Sequence, residues 1–196
     1  MYPVQDVRTM FSAVRTKIPG VVLIETPVYP DARGYFLEVW KESAYTQHGV
    51  PSHFVQDNLS FSTYGVVRGL HYQNPAPQGK LVCPLRGSIY DVIVDIRVGS
   101  PTFGHAEGFT LDAEAGQQLY VPEGLAHGFA VLSDQALVLY KCTQLYNRQV
   151  EGSVLWNDPD LRVNWPVANP ILSDKDQAAP RLTAISPDTL PRWIGN

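Results

Sequence analysis

An arginine, a histidine and a lysine lie close together in segments whose composition is otherwise typical of β-strands. Arg68 and His71 belong to one strand-like run, and Lys80 opens an apolar run nine residues later. Strict alternation would place Arg68 and His71 on opposite faces of a strand. Gly69 between them indicates a β-bulge, which would turn both side chains toward one cavity. Taken alone, Lys80 is better explained as a surface lysine at a strand end.

Two further segments place polar side chains on one strand face. Gln56, Asn58 and Ser60 alternate and therefore share a face, and Tyr140 shares an otherwise apolar face with Val138. Each segment alone has an ordinary explanation, a solvated sheet face for the first and a core tyrosine for the second. Together with a histidine, a phenol of this kind supplies an acid and a base for proton transfer.

The segment from Gly116 to His127 has the pattern G-x5-P-x-G-x2-H. It resembles the second half of the cupin signature, and cupins fold as small jelly-roll barrels with the ligand inside. Metal-binding cupins supply two histidines as H-x-H and a carboxylate from the first half, where this chain has His71 alone. Because a transition metal generally needs three or more protein ligands, we expect no metal site.

Seven sequence blocks, in order, make the chain similar to one cupin family, the dTDP-4-dehydrorhamnose 3,5-epimerases. The similarity extends from about residue 20 to residue 182. The blocks are Asp31–Glu38 (DARGYFLE), Gln56–Ser60 (QDNLS), Arg68–His71 (RGLH), Gln78–Val82 (QGKLV), Asp91–Gly104 (DVIVDIRVGSPTFG), Gly124–Phe129 (GLAHGF) and Leu172–Asp176 (LSDKD).

The resemblance implies a role for each matching position. His71 resembles the catalytic base and Asp176 its carboxylate partner, Tyr140 resembles the proton donor on the opposite side of the sugar, and Lys80 matches the lysine near the keto oxygen. The positions that match the nucleotide- and diphosphate-binding residues are Arg33, Glu38, Gln56, Asn58 and Arg68. The remaining site positions are His127, Glu151 and Lys175, together with Tyr146, which resembles a tyrosine that packs near the thymine base.

The resemblance also implies the assembly and the cofactors. The family is a cofactor-free homodimer in which one subunit lends residues to its neighbour's site, with the region around Arg33 as the donor. One matching residue has a competing explanation, because Ser173-x-x-Asp176 has the form of a capping box in which the carboxylate caps a helix. Without the resemblance, the cap would be the better interpretation of Asp176.

The implied reaction suits these residue types. A 4-keto sugar has acidified hydrogens at C3 and C5, since charge left by either spreads onto the ketone oxygen. Inversion therefore needs a base that titrates near neutrality, a carboxylate that orients it, and an acid on the other face. A fixed cation at the developing enolate oxygen, which Lys80 would supply, is worth more in a dry barrel than in water.

The elements that must position these residues are predominantly strands. Fifteen Gly, 16 Pro and many aromatic residues indicate short strands separated by turns. About ten strands fit an all-β jelly-roll barrel that forms a single domain over residues 1–196. The predicted strands span residues 21–28, 35–40, 54–62, 66–73, 80–85, 88–97, 105–111, 117–121, 128–132 and 137–143. We also expect a short helix over residues 6–15, a proline-rich C-terminal tail and a helical turn at residues 173–176.

Composition excludes several partners. Lys and Arg number 15 against 19 Asp and Glu, a net charge of −4, so the chain lacks the basic surface that nucleic acid requires. Two cysteines without C-x-x-C spacing, and no signal peptide, predict a cytoplasmic protein with free thiols. The longest aliphatic run near the N-terminus, Val21–Ile24, is far shorter than the ~20 residues of a membrane span.

The sequence predicts epimerisation at C3 and C5 of dTDP-4-dehydro-6-deoxy-D-glucose, giving dTDP-4-dehydro-L-rhamnose. Three alternatives stay open at this point. The first is an epimerase that inverts only C3, against which Tyr140 argues. The second is a metal-dependent cupin oxygenase or isomerase, and the third is a jelly roll that binds a sugar without catalysis.

Overall fold

The computed structural model describes residues 10–195, and strands make up most of its regular structure. The strands are β1 Ser12–Arg15, β2 Val22–Glu25, β3 Val28–Asp31, β4 Gly34–Leu37, β5 Gln56–Thr63, β6 Val67–Gln73, β7 Lys80–Arg86, β8 Ser88–Asp95, β9 Ala106–Asp112, β10 Gln117–Val121, β11 Leu125–Val131, β12 Gln135–Cys142 and β13 Glu151–Ser153. The α-helices are α1 Glu42–Tyr45 and α2 Asp174–Gln177, and 3-10 turns span Thr46–His48, Leu182–Ala184 and Pro187–Thr189. The prediction of an all-β fold with short helices is confirmed.

Two antiparallel sheets carry the structure. The order in the six-stranded sheet is β1-β2-β10-β7-β12-β5, and the order in the five-stranded sheet is β13-β6-β11-β8-β9. Apolar side chains from both sheets form one core cluster, including Val82 and Val138 from the first sheet and Ile89, Ile93 and Phe129 from the second. The sheets therefore face each other, and a residue on either inner face points toward the space between them.

Both outer faces are also covered. Val92, Val94 and Ala126 on the five-stranded sheet pack against Leu182 and Leu190 from the C-terminal segment. On the six-stranded sheet, Leu81 and Tyr120 pack against the region of α1, through Tyr45 and Val50. The burial of these apolar contacts holds the C-terminal segment, and with it α2, beside β6.

A β-bulge on β6 brings Arg68 and His71 to the same side. His127 of β11 pairs with His71, while Phe129, only two residues later, pairs with Arg68, three residues earlier on β6. The extra residue lies at Gly69, which has a φ of +122°. Because this extra residue changes the alternation of side chains along β6, Arg68 and His71 line one cavity, as the sequence predicts.

The predicted N-terminal helix is wrong where the structure tests it. Residues 12–15 form β1, which pairs with β2, and residues 6–9 lie outside the described residues. Val14, which would lie on the apolar helix face, is 59% exposed, whereas Ala13 packs against the cluster around Tyr45. Pairing along an available sheet edge outweighs the weak helical spacing of this segment.

Other boundaries differ because of tertiary contacts. The predicted strand 21–28 is divided into β2 and β3, and the predicted strand 35–40 ends at Leu37, after which Trp40 packs against Tyr45 and Phe54. Strand β13 was not predicted. The helical turn expected at residues 173–176 is present as α2, with Ser173 as its N-cap.

Gly128 of β11 lies directly against the bulge on β6, and its replacement tests how tightly the two strands are packed there. A Cβ atom at this position would lie 2.6 Å from the carbonyl oxygen of Arg68 and 3.1 Å from Cα of Gly69. Because both contacts are backbone atoms, Gly128→Ala should destabilise the protein by about 1–3 kcal/mol, measured as the free energy of unfolding in urea. An unchanged free energy of unfolding would show that the two strands can separate at this point without cost.

Candidate active site

The centre of the site is a hydrogen bond between an imidazole and a buried carboxylate. Nε2 of His71 lies 2.6 Å from Oδ1 of Asp176, and the two side chains are 28% and 4% exposed. The second carboxylate oxygen accepts the main-chain N–H of Gly69 at 3.4 Å. Asp176 therefore fixes the ring of His71, and a neutral imidazole that donates from Nε2 presents Nδ1 as its acceptor.

Asp176 is ionised at neutral pH despite its burial. Burial raises the pKa of this carboxyl, but the hydrogen bond and charge of His71, with smaller contributions from Ser173 and the Gly69 N–H, outweigh burial and lower its pKa. The helix cap coexists with the pair of His71 and Asp176, which we call the dyad. Oγ of Ser173 accepts the main-chain N–H of Asp176 at 3.2 Å, so the cap leaves the Asp176 carboxylate to His71.

The dyad lies in a cavity of about 470 Å³ between the two sheets. The predicted site residues that line it come from both sheets and from α2. The five-stranded sheet supplies Arg68, His71 and His127, the six-stranded sheet supplies Lys80 and Tyr140, and α2 supplies Lys175 and Asp176. Because Tyr140 and Lys80 belong to the sheet opposite His71, a molecule in the cavity lies between the imidazole and the phenol.

Lys80 and Tyr140 occupy partly dehydrated positions. Burial lowers the pKa of the Lys80 ammonium, while Cys142, Asp91 and Glu151 act in the opposite direction. Within residues 10–195, this ammonium makes no hydrogen bond or ion pair with another side chain. Burial also raises the pKa of the Tyr140 phenol, Cys142 and Glu151 raise it further, and Arg68 lowers it. Tyr140 is therefore protonated and Lys80 is available to a ligand.

A second histidine and carboxylate pair lies beside the first. Nε2 of His127 is 3.0 and 2.8 Å from the two carboxylate oxygens of Asp91, which is fully buried. Asp91 was not among the predicted site residues. The sequence does contain a signal for Asp91 as a site residue. Alternation in β8 places it on the same face as the core residues Ile89 and Ile93, where a buried ionisable group needs a partner.

A cluster of charged residues stands beside the dyad. Lys175 forms an ion pair with Glu151, and Glu151 accepts a hydrogen bond from the Tyr146 hydroxyl at 3.0 Å. Burial raises the pKa of Glu151, but Lys175, Tyr146 and His71 lower it overall. These three predicted residues are therefore joined to each other and lie within electrostatic range of His71.

Gln56 and Asn58 are joined on β5. Nε2 of Gln56 donates to Oδ1 of Asn58 at 2.8 Å, and Nδ2 of Asn58 donates to Sγ of Cys142 at 3.5 Å. Oε1 of Gln56 accepts the main-chain N–H of Tyr146 at 2.8 Å. Asn58 also pairs across the strands with Tyr140, which places this polar row next to the phenol.

Two predicted residues lie away from this cavity. Arg33 is at the tip of the β3–β4 hairpin, where its side chain is 90% exposed and pairs with Asp31. Glu38 follows β4 and lies 3.9 Å from the Lys41 ammonium. The hairpin borders a separate groove of about 300 Å³, lined by Tyr35, Phe36 and Leu37 among others. Within one chain, neither residue reaches the dyad.

Residues 10–195 contain neither a metal-binding cluster nor a membrane-spanning helix. No three His, Cys, Asp or Glu side chains converge as a metal ion would require, and each of the two cavity histidines bonds a single carboxylate instead. Among the same residues, no helix is long and apolar enough to cross a membrane.

The comparisons with known proteins decide the family. The family model described as dTDP-4-dehydrorhamnose 3,5-epimerase matches residues 15–184. The chain belongs to this family. A dTDP-4-dehydrorhamnose 3,5-epimerase from Methanothermobacter thermautotrophicus is 45% identical over 170 residues, which cover 85% of this chain and 92% of the relative.

Two solved structures of epimerases with bound ligands are also similar to this chain. The dTDP-6-deoxy-D-glucose-3,5-epimerase RmlC from Legionella pneumophila, in complex with dTDP-4-keto-L-rhamnose, is 44% identical with a TM-score of 0.91 and covers 95% of this chain and 100% of its own. ChmJ, a 3′-monoepimerase from Streptomyces bikiniensis in complex with dTDP-quinovose, is 36% identical with a TM-score of 0.85 and covers 90% and 91%. This fold therefore accommodates both double and single epimerases.

The lowered pKa of Asp176 predicts how stability depends on pH. Because the folded-state pKa is below the ordinary value of 3.8, ionised Asp176 stabilises the fold above about pH 4, and this contribution is lost as the pH falls through the lowered pKa. The free energy of unfolding of the wild type should therefore fall more steeply with acidification below about pH 5 than that of Asp176→Asn. Parallel curves for the two proteins would contradict the assignment of an ionised carboxylate.

Proposed function

We propose that this isomerase inverts C3 and C5 of dTDP-4-dehydro-6-deoxy-D-glucose to give dTDP-4-dehydro-L-rhamnose. The observation that carries the proposal is the 2.6 Å bond between His71 and a buried carboxylate, in a cavity that also contains a lysine and a tyrosine from the opposite sheet. The reaction moves protons between carbon and side chains, so the chain's own acids and bases are sufficient for it, and no cofactor takes part.

His71 removes the proton. Nδ1 takes the hydrogen from the carbon next to the 4-keto group, and the ring becomes an imidazolium whose Nε2–H points at Asp176. The carboxylate stabilises this cation and prevents the ring from turning. A general base of this kind contributes roughly 10²- to 10⁴-fold to the rate.

Lys80 stabilises the charge that the proton leaves behind. The electrons of the broken C–H bond move onto the C4 oxygen, and an ammonium without a protein partner among the described residues is free to meet that enolate. Its burial matters, because a positioned cation in a site that excludes water stabilises developing charge much more than it would in bulk solvent.

Tyr140 returns a proton from the other face. Inversion requires that the carbon receive hydrogen on the side opposite His71, and Tyr140 lies on the opposite sheet. Its raised pKa keeps the phenol protonated until the enolate forms. A protonated group on this wall favours inversion over simple exchange on one face.

The remaining predicted residues bind the nucleotide. Arg68, whose Nε donates to Ser62 at 3.0 Å, and Lys175 supply cations at the cavity wall for the diphosphate. Gln56, Asn58, His127 and Glu151 complete the binding site. Tyr146 is half exposed beside this wall and packs near the base.

The finer architecture belongs to the same proposal. We infer that the two facing sheets form a cupin jelly roll, that residues 1–196 fold as a single domain, and that the proline-rich segment after residue 153 is its C-terminal tail. Cys83 and Cys142 are both free and buried, which is usual for a reducing compartment, and we place the enzyme in the cytoplasm.

We further propose that two copies form a homodimer that shares residues between its sites. Phe36 on the β3–β4 hairpin and Leu59 and Phe61 on β5 are exposed apolar side chains. Arg33 and Glu38 sit on or next to that hairpin, away from their own cavity, so a neighbour's cavity is where they would meet a diphosphate. A two-fold interface would supply both sites in the same way.

Isotope exchange tests the reaction. In D₂O with dTDP-4-keto-6-deoxyglucose, the wild type should introduce deuterium at both C3 and C5, detected by NMR. Label at C3 alone would identify an epimerase of a single centre, and binding without any label would leave only the sugar-binding alternative.

Replacement of the base tests its role. His71→Ala should abolish deuterium exchange at both carbons while the affinity for dTDP, measured by calorimetry, changes little, because dTDP lacks the hexose on which His71 acts. Full exchange by this variant would remove His71 from the mechanism.

Complementation tests the shared site. Arg33→Ala and His71→Ala each disable both sites of a homodimer, but a mixed dimer contains one site with an intact His71 and a lent Arg33. Co-expressed in equal amounts, the two variants should recover about a quarter of wild-type activity. A mixture no more active than its separate components would contradict the sharing of Arg33.

A further inference from the structure

Two glutamine side chains hold the backbone of the segment that carries Tyr146. Oε1 of Gln73 accepts the main-chain N–H of Asn147 at 2.9 Å, and its Nε2 donates to the main-chain carbonyl of Leu145 at 3.3 Å. Oε1 of Gln56 accepts the main-chain N–H of Tyr146 at 2.8 Å. Three consecutive residues are therefore held by side chains, and we call Gln56 and Gln73 the glutamine clamp.

The two members of the glutamine clamp come from different sheets. Gln56 begins β5 at the edge of the six-stranded sheet, and Gln73 ends β6 in the five-stranded sheet. Residues 145–147 are thus bonded to both sheets, at the start of β5 and at the end of β6. A movement of this segment away from either sheet therefore breaks its hydrogen bonds to the glutamine of that sheet.

Gln73 is the more constrained of the two. It is 4% exposed, and its Nε2 makes an additional bond to the carbonyl of Ala76 at 2.5 Å. One acceptor and two donors of the amide are thereby used, all of them on main-chain groups of two loops. A buried amide with this many main-chain partners fixes loop geometry, since losing it removes three part-buried hydrogen bonds at once.

Among residues 10–195, Tyr146 is held by hydrogen bonds at its main-chain N–H and at its hydroxyl. Its main-chain N–H is bound by the glutamine clamp and its hydroxyl by Glu151, while about half of the side chain is exposed. The ring can therefore stack on a planar ligand, at a position set by the segment that carries it. Stacking depends on the position of the ring plane, and this position depends on Gln73 through Leu145 and Asn147.

We propose that Gln73 is a positioning residue for recognition of the nucleotide base, acting through Tyr146. The inference rests on the proposed function, in which Tyr146 packs near the base. It adds a residue that touches neither the base nor the reacting carbons, and it assigns that residue to affinity for the nucleoside and not to proton transfer.

The test compares Gln73→Met with the wild type for two ligands, dTDP and inorganic pyrophosphate. Methionine keeps the length of the side chain but makes none of the three bonds. The Kd for dTDP should rise about tenfold, as expected for loss of one base–aromatic stack, while the Kd for pyrophosphate should not change. With the keto-sugar substrate, KM should rise and kcat should be retained, because the lost interaction is equal in the ground and transition states.

Gln78→Met is the matched control. Nε2 of Gln78 donates to the main-chain carbonyl of Gln144 at 2.8 Å in an exposed bond, next to the clamped segment but outside it. This variant should bind both ligands as the wild type does.

A double-mutant cycle tests the route through Tyr146. Tyr146→Ala should raise the Kd for dTDP by itself, and Gln73→Met should add nothing further in that background, because the residue it positions is gone. Should Gln73→Met fail to fold, Gln73→Glu is measured with the same expectation, since it keeps an acceptor for Asn147 and loses both donated bonds.

Three results would overturn the inference: an unchanged Kd for dTDP in the Gln73 variant, an equal loss of pyrophosphate binding, or independent effects in the double mutant. Failure of the proposed reaction is distinguishable from these, because it appears in the wild type as missing deuterium at C3 or C5, whereas the three results above are Kd values of the variants.

Discussion

The hydrogen bond between His71 and Asp176 joins residues that are 105 positions apart, and the geometry of the site depends on it. A carboxylate with 4% exposure is costly to keep ionised unless charged and dipolar partners surround it. His71 and the Gly69 N–H are those partners, and both belong to β6. The pair therefore fixes the histidine ring and attaches α2 to the sheet in one interaction.

The cavity places groups of different chemistry on facing walls. The base and its carboxylate belong to one sheet and its covering helix, whereas the lysine and the phenol belong to the other. The apolar core beside the cavity sets the spacing of the sheets. Burial keeps the phenol of Tyr140 protonated. It lowers the pKa of the Lys80 ammonium, which Cys142, Asp91 and Glu151 oppose, and it strengthens the interaction of that ammonium with a developing negative charge.

Local patterns in the sequence account for much of this arrangement. The many Gly, Pro and aromatic residues were enough to predict the β-rich fold, alternation and Gly69 predicted the bulge, and Ser173 marked the start of α2. Other features depend on contacts between distant segments. Strand β1 forms because β2 offers an edge, and β13 forms by pairing with β6, where Glu151 lies opposite Gln73. The bonds of Gln73 to main-chain groups have no signature in the sequence, since they depend on how two loops meet.

A crystal structure of this protein with a bound dTDP-hexose would test the central claim most directly. We predict that the hexose lies between the two sheets, with a carbon next to C4 roughly 3–3.5 Å from Nδ1 of His71, the C4 oxygen toward Lys80, and Tyr140 on the opposite face of the ring. A hexose bound outside this cavity, or one with both His71 and Tyr140 on the same face, would contradict the account.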